Sequence, residues 1–315
     1  MERHKTLRRV ARALYGLPGL RSATRMMARS AVQSLPLSLK NRQRVYNFVS
    51  RDTVPERKVA CRARVPFKGS VKLSLDLQDD LSRMWYYWGY SGYEAATVNL
   101  FWKLLLSKSC VFDIGANVGY YTLLAARMLE GYGEVHAFEP CPRVFEWLSQ
   151  NARLNAFGRL FLNQTALSDA NGTQRLFLPS DSAGTNASLI ENFTTQDTFL
   201  MTETFRFDSY CKRNVTRPVD LIKIDVEGAE LNVLLGTGSL LDEWRPDIIC
   251  EVLEPFEKAL DQFFLTKLYR KFLITDIGLQ ETEKIRAHPQ FRDYYLSCDP
   301  PHGLKILSCA KVPAL

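Results

Sequence analysis

The turn at residues 113–119, DIGANVG, combines a carboxylate with two glycines and could therefore bind a small polar ligand. Asp113 ends an apolar run, and Gly115 and Gly119 lie on either side of Asn117. Glycine adopts positive φ angles at little cost and lets the backbone approach a ligand closely. The turn lacks both the G-x-G-x-x-G of a dinucleotide site and the Lys-Ser/Thr of a P-loop, so it does not indicate phosphate binding.

Asp113 indicates that the ligand of this turn carries positive charge. Two like charges about 4 Å apart cost about 4 kcal/mol at an effective dielectric constant of ~20, so the carboxylate disfavours a phosphate and attracts a cation. S-adenosylmethionine has a sulfonium and an ammonium group. Glu139, at the end of the apolar segment GEVHAFEP, is placed to accept both ribose hydroxyls. We expect Ser168 beside the adenine, and the sequence predicts S-adenosylmethionine as the cofactor.

A second group of carboxylates, Asp225, Glu227 and Glu230, follows the apolar segment VDLIKI. Transfer of the methyl group of S-adenosylmethionine needs an acceptor held about 3 Å from the methyl group and a group that takes up the acceptor's proton. We assign Asp225 as base or substrate anchor, together with Glu227, because neighbouring carboxylates raise one another's pKa. Glu227 and Glu230 could instead only complement a helix N-terminus. The three could also hold Mg²⁺, but no ligand spacing is clear and we assign no metal.

Apolar strand patterns alternate with helical patterns from residue 108 onward and position these side chains. The predicted strands of the main sheet are 110–115, 133–140, 159–168, 219–225, 246–254, 272–278 and 293–299. Repeated strand–helix units predict an α/β fold with a doubly wound, mostly parallel sheet, which binds ligands at the carboxyl ends of its strands. Segments 173–179 and 198–206 are predicted strand inserts. His136 lies within a strand and is predicted to be core, whereas His302 is an alternative base in a loop.

The charge is distributed unevenly between the N-terminal fifth and the rest of the chain. Residues 1–68 contain 17 Lys and Arg against three acidic residues, and the remainder contains 24 basic and 31 acidic residues. We therefore divide the chain into a basic, mainly helical N-terminal extension, 1–68, and a catalytic domain, 69–315, whose motifs lie within 108–280. The acidic balance of the domain argues against nucleic acid as a partner.

Helical spacing of apolar residues over 4–17 and 20–34 predicts two basic helices in the extension. They either pack on the domain as a cap or bind an anionic membrane surface. The aromatic segment 84–94, MWYYWGYSGYE, belongs either to the core or to a substrate pocket.

The seven cysteines include no C-x-x-C pair, which predicts small apolar core residues in a reducing compartment and neither a disulfide framework nor a zinc site. No apolar run reaches the ~18 residues of a membrane span, and the N-terminus lacks the pattern of a signal peptide. We expect a cytoplasmic protein, with contact to the inner membrane face through the basic residues as the alternative. The sequence predicts no oligomeric state.

These segments together resemble the FkbM family of class I S-adenosylmethionine-dependent methyltransferases. VFDIGANVGYYT is similar to the first motif of the family, HAFEP to its ribose-binding strand end, and IKIDVEGAELNVLLG (222–236) is the most distinctive likeness. The resemblance covers about residues 87–300. It implies a Rossmann-like fold and methyl transfer to a hydroxyl of a sugar, glycan or natural-product scaffold.

Two readings from other classes compete with this resemblance. A nicotinamide oxidoreductase is disfavoured by the missing glycines and by Asp113. A non-catalytic member of the same fold that binds S-adenosylmethionine or a glycan remains the alternative.

Overall fold

The residues described by the structure, a computed structural model, are Arg29, 58–179, 186–191 and 198–307. The chain divides into two compact units, Met1–Glu94 and Ala95–Leu315. Apart from Arg29, the predicted helices at 4–17 and 20–34 lie outside the described residues, as does part of the polar loop between the two strand inserts.

The described part of the first unit is a β-hairpin followed by a helix. Strand β1 (Val59–Val65) pairs antiparallel with β2 (Gly69–Leu75), and helix α1 (Asp80–Trp88) follows. The side chain of Asp79 caps α1 by accepting a backbone N–H of its first turn at 2.7 Å. The predicted domain boundary after residue 68 falls in the turn of this hairpin. Strand β1 lies in the part of the chain predicted to be mainly helical, and its side chains alternate between more exposed and more buried positions, as in a strand.

The aromatic segment 84–94 supplies the buried face of α1. Trp85, Tyr86, Tyr87 and Trp88 are each at most 5% exposed. The rings of Trp85 and Tyr90 lie 5.6 Å apart. These four side chains are core residues, which is the first of the two alternatives for this segment.

The second unit alternates strands and helices. Its elements, in chain order and within the described residues, are α2 (Ala95–Leu105), β3 (Cys110–Ile114), α3 (Tyr120–Met128), β4 (Glu134–Phe138), α4 (Pro142–Arg153), β5 (Leu160–Asn163), β6 (Ala166–Ser168), β7 (Gly172–Phe177), β8 (Phe199–Arg206), α5 (Phe207–Asn214), β9 (Leu221–Ile224), α6 (Glu230–Leu235), α7 (Leu240–Trp244), β10 (Asp247–Glu251), α8 (Glu257–Phe264), β11 (Arg270–Thr275), β12 (Gly278–Thr282), β13 (Asp293–Ser297) and β14 (Ile306–Leu307).

The main sheet has nine strands in the order β14-β12-β11-β13-β10-β9-β3-β4-β5 among the described residues. The five strands from β10 to β5 are mutually parallel, and β13 is antiparallel to both β10 and β11. Every residue of β3, β4, β9 and β10 is buried, as expected for strands covered on both faces. The predicted doubly wound, mostly parallel α/β fold is confirmed, and its parallel strands bring their carboxyl ends to one edge of the sheet.

The predicted strand over residues 159–168 is wrong because the structure breaks it in two. Strand β5 belongs to the main sheet, whereas β6 lies in a separate three-stranded sheet in the order β6-β8-β7. The hydroxyl of Thr165 donates to the carbonyl of Glu203 at 2.9 Å and fixes the chain where it leaves the main sheet. The two strand inserts, β7 and β8, are confirmed and pair antiparallel with each other.

Helix α8 ends at Phe264, and the residues from Arg270 onward pair with β13 as strand β11. No helix among the described residues has both the length and the apolar character that crossing a bilayer requires.

Candidate functional site

The turn between β3 and α3 contains two glycines with positive φ angles, where a side chain would be strained. Gly115 has a φ of 84° and Gly119 a φ of 98°. A Cβ at Gly115 would lie 1.8 Å from the carbonyl oxygen of Asp225, and one at Gly119 would lie 2.9 Å from Cδ1 of Leu148. Gly119 also forms the N-cap of α3. The turn therefore lies directly against the end of β9.

Glu139 is bound to this turn from the end of β4. The backbone N–H of Asn117 donates to Oε2 of Glu139 at 3.0 Å, and that of Cys141 donates to Oε1 at 2.9 Å. Burial raises the pKa of Glu139 to about 7, although the two backbone N–H groups act in the opposite direction. A carboxylate oxygen has two lone pairs, so each oxygen keeps the capacity to accept one ribose hydroxyl.

Asp113 lies beneath the turn. Its side chain is 2% exposed and accepts a hydrogen bond from the hydroxyl of Thr122 in α3. Burial raises the pKa of Asp113 to about 6, against the lowering effects of the Thr122 hydrogen bond and the charge of Lys223. Asp113 is therefore a buried strand residue that contacts α3. Its attraction for a cationic ligand stays a prediction.

Ser168 is fully buried in the three-stranded sheet. Its hydroxyl donates to Asp169 at 3.0 Å and accepts from Gln174 at 3.4 Å. Its carbonyl packs so closely on Gly236 that a Cβ there would lie 2.1 Å away. Ser168 has its polar partners within the protein, and its contact with adenine stays a prediction. At the end of β5 itself, the carbonyl of Asn163 accepts the N–H of Glu139 at 3.0 Å.

Asp225 joins the end of β9 to the turn. Its N–H donates to the carbonyl of Ile114 at 3.0 Å. Its carboxylate accepts from Nζ of Lys223, also at 3.0 Å, and the Asp225 side chain is 25% exposed. The structure therefore brings the predicted catalytic Asp225 next to the predicted cofactor turn.

Glu227 and Glu230 follow Asp225 but have different surroundings. Glu227 has a φ of 55°, a strained angle for a residue with a side chain. Burial, together with the charges of Asp225 and Glu230, raises the pKa of Glu227 to about 7. Glu230 is fully buried, and its Oε1 accepts the N–H groups of Val226 and Gly228 at 3.1 Å each. Glu230 thus holds the loop before α6, the structural role given as its alternative.

Three charged residues that the sequence did not single out complete this cluster. Lys223, within β9, is fully buried, and its Nζ lies 3.9 Å from the carboxylate of Asp293. Asp293 begins β13 and accepts the hydroxyl of Thr97. Glu251 ends β10 opposite Asp293, and burial next to the charge of Asp225 raises its pKa to about 10.

Two of these residues carried a sequence signal. Lys223 interrupts the apolar segment VDLIKI, and a lysine within a buried strand needs a partner. Glu251 follows the apolar run IIC inside the predicted strand 246–254, as Glu139 follows the apolar end of GEVHAF. Asp293 carried no such signal, because its place depends on antiparallel pairing with β10.

The two histidines considered earlier differ in burial. His136 is fully buried, which confirms its prediction as a core residue, and its ring stacks on Phe161 with a centroid distance of 4.6 Å. His302 is exposed.

The carboxylates at the carboxyl ends of β9 and β10 can take part in proton transfer and can bind hydroxyl donors. The charge of Asp225 contributes to the raised pKa values of Glu227, Glu251 and Asp293, so all three lie close to it. A carboxyl with a pKa near 7 is well matched to general base catalysis at physiological pH. Glu227 is such a carboxyl and lies two residues from Asp225. The pKa values of Glu139 and Glu230 are also raised to about 7, but the carboxylates of both accept backbone N–H groups.

Comparison with known proteins agrees with this geometry. The profile of the Methyltransferase FkbM domain matches residues 113–278, more than half of the chain. "Methyltransferase 1" of Beauveria bassiana (strain ARSEF 2860) is 29% identical over 163 residues, 46% of this chain and 63% of the relative. "31-O-demethyl-FK506 methyltransferase FkbM" of Streptomyces tacrolimicus is 31% identical over 154 residues, 40% of this chain and 58% of the relative. The matches thus span about three fifths of these two relatives.

One of the similar solved structures has the same family name. The crystal structure of "Methyltransferase FkbM" from Methylobacillus flagellatus KT aligns with a TM-score of 0.40 and 17% sequence identity. The alignment covers 61% of this chain and 43% of that chain.

Proposed function

The chain belongs to the FkbM methyltransferase family, and we propose that it transfers a methyl group from S-adenosylmethionine to a hydroxyl of a sugar, glycan or natural-product scaffold. The observation that carries this proposal is the position of Glu227. A carboxyl with a pKa of about 7 lies two residues from Asp225, whose backbone packs on the glycine turn.

S-adenosylmethionine is the cofactor, and the chain fits it on structural grounds. Gly115 lets the turn pack against the backbone of Asp225, because a Cβ there would lie 1.8 Å from the Asp225 carbonyl oxygen. Glu139 is held at the end of β4 by Asn117 and Cys141 and can accept the ribose hydroxyls. When bound, the cofactor supplies an electrophilic methyl group on a positively charged sulfur.

Glu227 is the base of the proposed reaction. It accepts the proton of the acceptor hydroxyl, and its pKa of about 7 leaves a large deprotonated fraction at physiological pH. Asp225 anchors the same hydroxyl, because its side chain is partly exposed and its backbone packs on Gly115 of the turn. Lys223 fixes the orientation of Asp225 through the 3.0 Å ion pair. This division of roles sharpens the sequence assignment, in which Asp225 was base or anchor.

The proposed acceptor is a neutral, hydroxyl-rich molecule. Carboxylates accept hydrogen bonds from hydroxyl groups, and several buried carboxylates at one edge repel anionic acceptors such as nucleic acid. One relative has a name that specifies a 31-O position, which supports oxygen as the methylated atom. A cytoplasmic location and binding of the basic residues 1–68 to anionic membrane remain predictions from the sequence.

Transfer of labelled methyl groups tests the proposed function. The purified protein is incubated with S-adenosylmethionine carrying a labelled methyl group and with glycan and small-molecule extracts of the host. We expect label in a hydroxyl-rich product with the wild type and none with Glu227→Gln. Calorimetry on the same samples separates the alternative function: S-adenosylmethionine binding without label in any fraction would favour a non-catalytic member of the fold.

A further inference from the structure

We propose that Cys110, Glu134 and His136 form a zinc site at the opposite edge of the sheet from the cofactor turn. Cys110 begins β3, and Glu134 begins the neighbouring strand β4 directly beside it. His136 lies two residues further along β4, on the same face as Glu134. One ligand atom from each residue, Sγ, a carboxylate oxygen and a ring nitrogen, lies within 4.8 Å of the other two.

The distances approach those of tetrahedral zinc. Sγ of Cys110 lies 3.5 Å from Oε1 of Glu134, and Nε2 of His136 lies 3.8 Å from the same oxygen. Zinc bonds of about 2.0–2.3 Å at tetrahedral angles separate neighbouring ligand atoms by about 3.4–3.6 Å. Both distances to Oε1 of Glu134 are close to this range. Thiolate, imidazole and carboxylate together are a ligand set that favours zinc over Mg²⁺ or Ca²⁺.

The tautomer of His136 is fixed by a chain of hydrogen bonds. The side-chain amide of Asn163 donates to the carbonyl of Ala137 at 3.1 Å, so its oxygen is the acceptor for the Tyr210 hydroxyl at 3.2 Å. Tyr210 therefore accepts from Nδ1–H of His136 at 2.9 Å. Nε2 is left with its lone pair, as in a metal-binding histidine oriented by a hydrogen bond at its other nitrogen.

Nε2 of His136 indicates a bound metal ion independently of the distances among the three ligand atoms. This atom is buried in a side chain with no exposed surface, and it has no hydrogen-bond partner among the described residues. A lone pair facing a carboxylate 3.8 Å away is unfavourable unless a cation lies between them. The His136 ring cannot turn away easily, because it packs between Phe112 and Phe161 with centroid distances of 4.9 and 4.6 Å.

Arginines orient Glu134 and connect the cluster to the surface. Arg159 binds Oε2 of Glu134, which leaves Oε1 directed at Cys110 and His136. Nε of Arg217 lies 3.9 Å from Oε1. The side chains of Arg159 and Arg217 are 49% and 36% exposed, so the cluster lies one side chain below solvent and an ion can reach it. The sequence assignment of no metal rested on the absence of a C-x-x-C pair and on the carboxylates after β9, and this cluster has neither signal.

Metal analysis and X-ray absorption test the site without a variant. The full-length protein is stripped with a chelator, reloaded with ZnCl₂, and analysed for bound zinc. We expect about one zinc ion per chain, with one sulfur and otherwise nitrogen or oxygen ligands in the absorption fine structure. Zinc at 100-fold its dissociation constant should raise the Tm by about 5 °C. Failure to retain zinc, or a zinc shell without sulfur, would overturn the proposal.

Two cysteine variants then locate the sulfur. Cys110→Ala should lose the bound zinc and the zinc-dependent rise in Tm. Cys250→Ala removes another fully buried thiol, from β10, and should retain both. Chelation should leave S-adenosylmethionine affinity within about twofold, because the cluster lies at the amino ends of the strands. Equal zinc retention in both variants would contradict the assignment of Cys110 as a ligand. If Cys110→Ala does not fold, the presence or absence of sulfur in the X-ray absorption spectrum of the zinc-loaded wild type is the deciding result.

Discussion

Asp225 contacts Gly115 through the main chain, and this contact joins the proposed catalytic edge to the cofactor turn. The carbonyl oxygen of Asp225 would lie 1.8 Å from a Cβ at position 115. No side chain fits at that distance, so the turn and the end of β9 can approach each other only through a glycine.

Gly115→Ala should therefore abolish S-adenosylmethionine binding or weaken it at least tenfold, because either the turn or Asp225 must move. Gly131→Ala is the matched control. Gly131 also has a positive φ, 93°, but a Cβ there would meet nothing within 4 Å. Backbone strain alone should cost Gly131→Ala about 1–2 kcal/mol of stability. Calorimetric titration of both variants makes the comparison, and equal loss of binding would show that strain, not the contact, matters.

Glu227 should determine the pH dependence of turnover. Its raised pKa means that the base is protonated at low pH, so kcat should rise through about pH 7 and level off above it. Glu227→Gln should lower kcat by about 10²–10⁴-fold and remove this rise. The measurement is kcat against pH for both proteins, with cofactor binding measured in parallel. A variant that keeps the wild-type profile would assign the base elsewhere.

Lys223 should matter for catalysis beyond its contribution to stability. Lys223→Met leaves Asp225 and Asp293 without a buried cation, and breaking such a pair costs about 3–5 kcal/mol. Lys271→Met is the control. Lys271 lies in β11, is 7% exposed and forms an ion pair with Asp261 of α8 at 2.7 Å. Denaturant unfolding should show both variants destabilised, whereas turnover of the remaining folded protein should fall only in Lys223→Met. Equal turnover in the two would make Lys223 purely structural.

Glu251 should make the protein less stable as the pH rises. Its folded pKa of about 10 lies above the unfolded value near 4.5, so its stabilising contribution is complete below about pH 4.5 and is lost as the pH rises to about 10. Glu251→Gln should therefore raise the Tm by a few degrees near pH 9 and have little effect near pH 4.

Glu281→Gln is the control for the Glu251 variant. The pKa of Glu281 is lowered by its hydrogen bond to Arg270, so its contribution has the opposite sign and is present at alkaline pH. Thermal unfolding at both pH values compares the two. A Glu251→Gln protein less stable than wild type near pH 9 would contradict the raised pKa.

Local sequence identified the parts of the site that lie within single segments. Gly115, Gly119, Glu139 and Asp225 were each found because they end an apolar strand or continue it into a turn. The interruption of the segment 159–168 was missed, because residues 164 and 165 leave an otherwise strand-like pattern unbroken.

The parts that depend on pairing between distant segments could not be predicted from the sequence. Asp293 reaches Lys223 only because β13 inserts antiparallel beside β10, and sequence periodicity does not specify which strands are neighbours. The interior position of Asp113 has a similar origin. Its side chain lies beneath the turn because Thr122, nine residues later, returns over the strand in α3.

The atom that receives the methyl group tests the central claim most directly. Wild-type protein is incubated with isotopically labelled S-adenosylmethionine and a hydroxyl-rich acceptor fraction, and the labelled product is examined by carbon NMR. The proposed roles of Glu227 and Asp225 predict a methyl group on oxygen, absent with Glu227→Gln. A labelled methyl group on nitrogen or carbon, or an undiminished product with Glu227→Gln, would contradict the account.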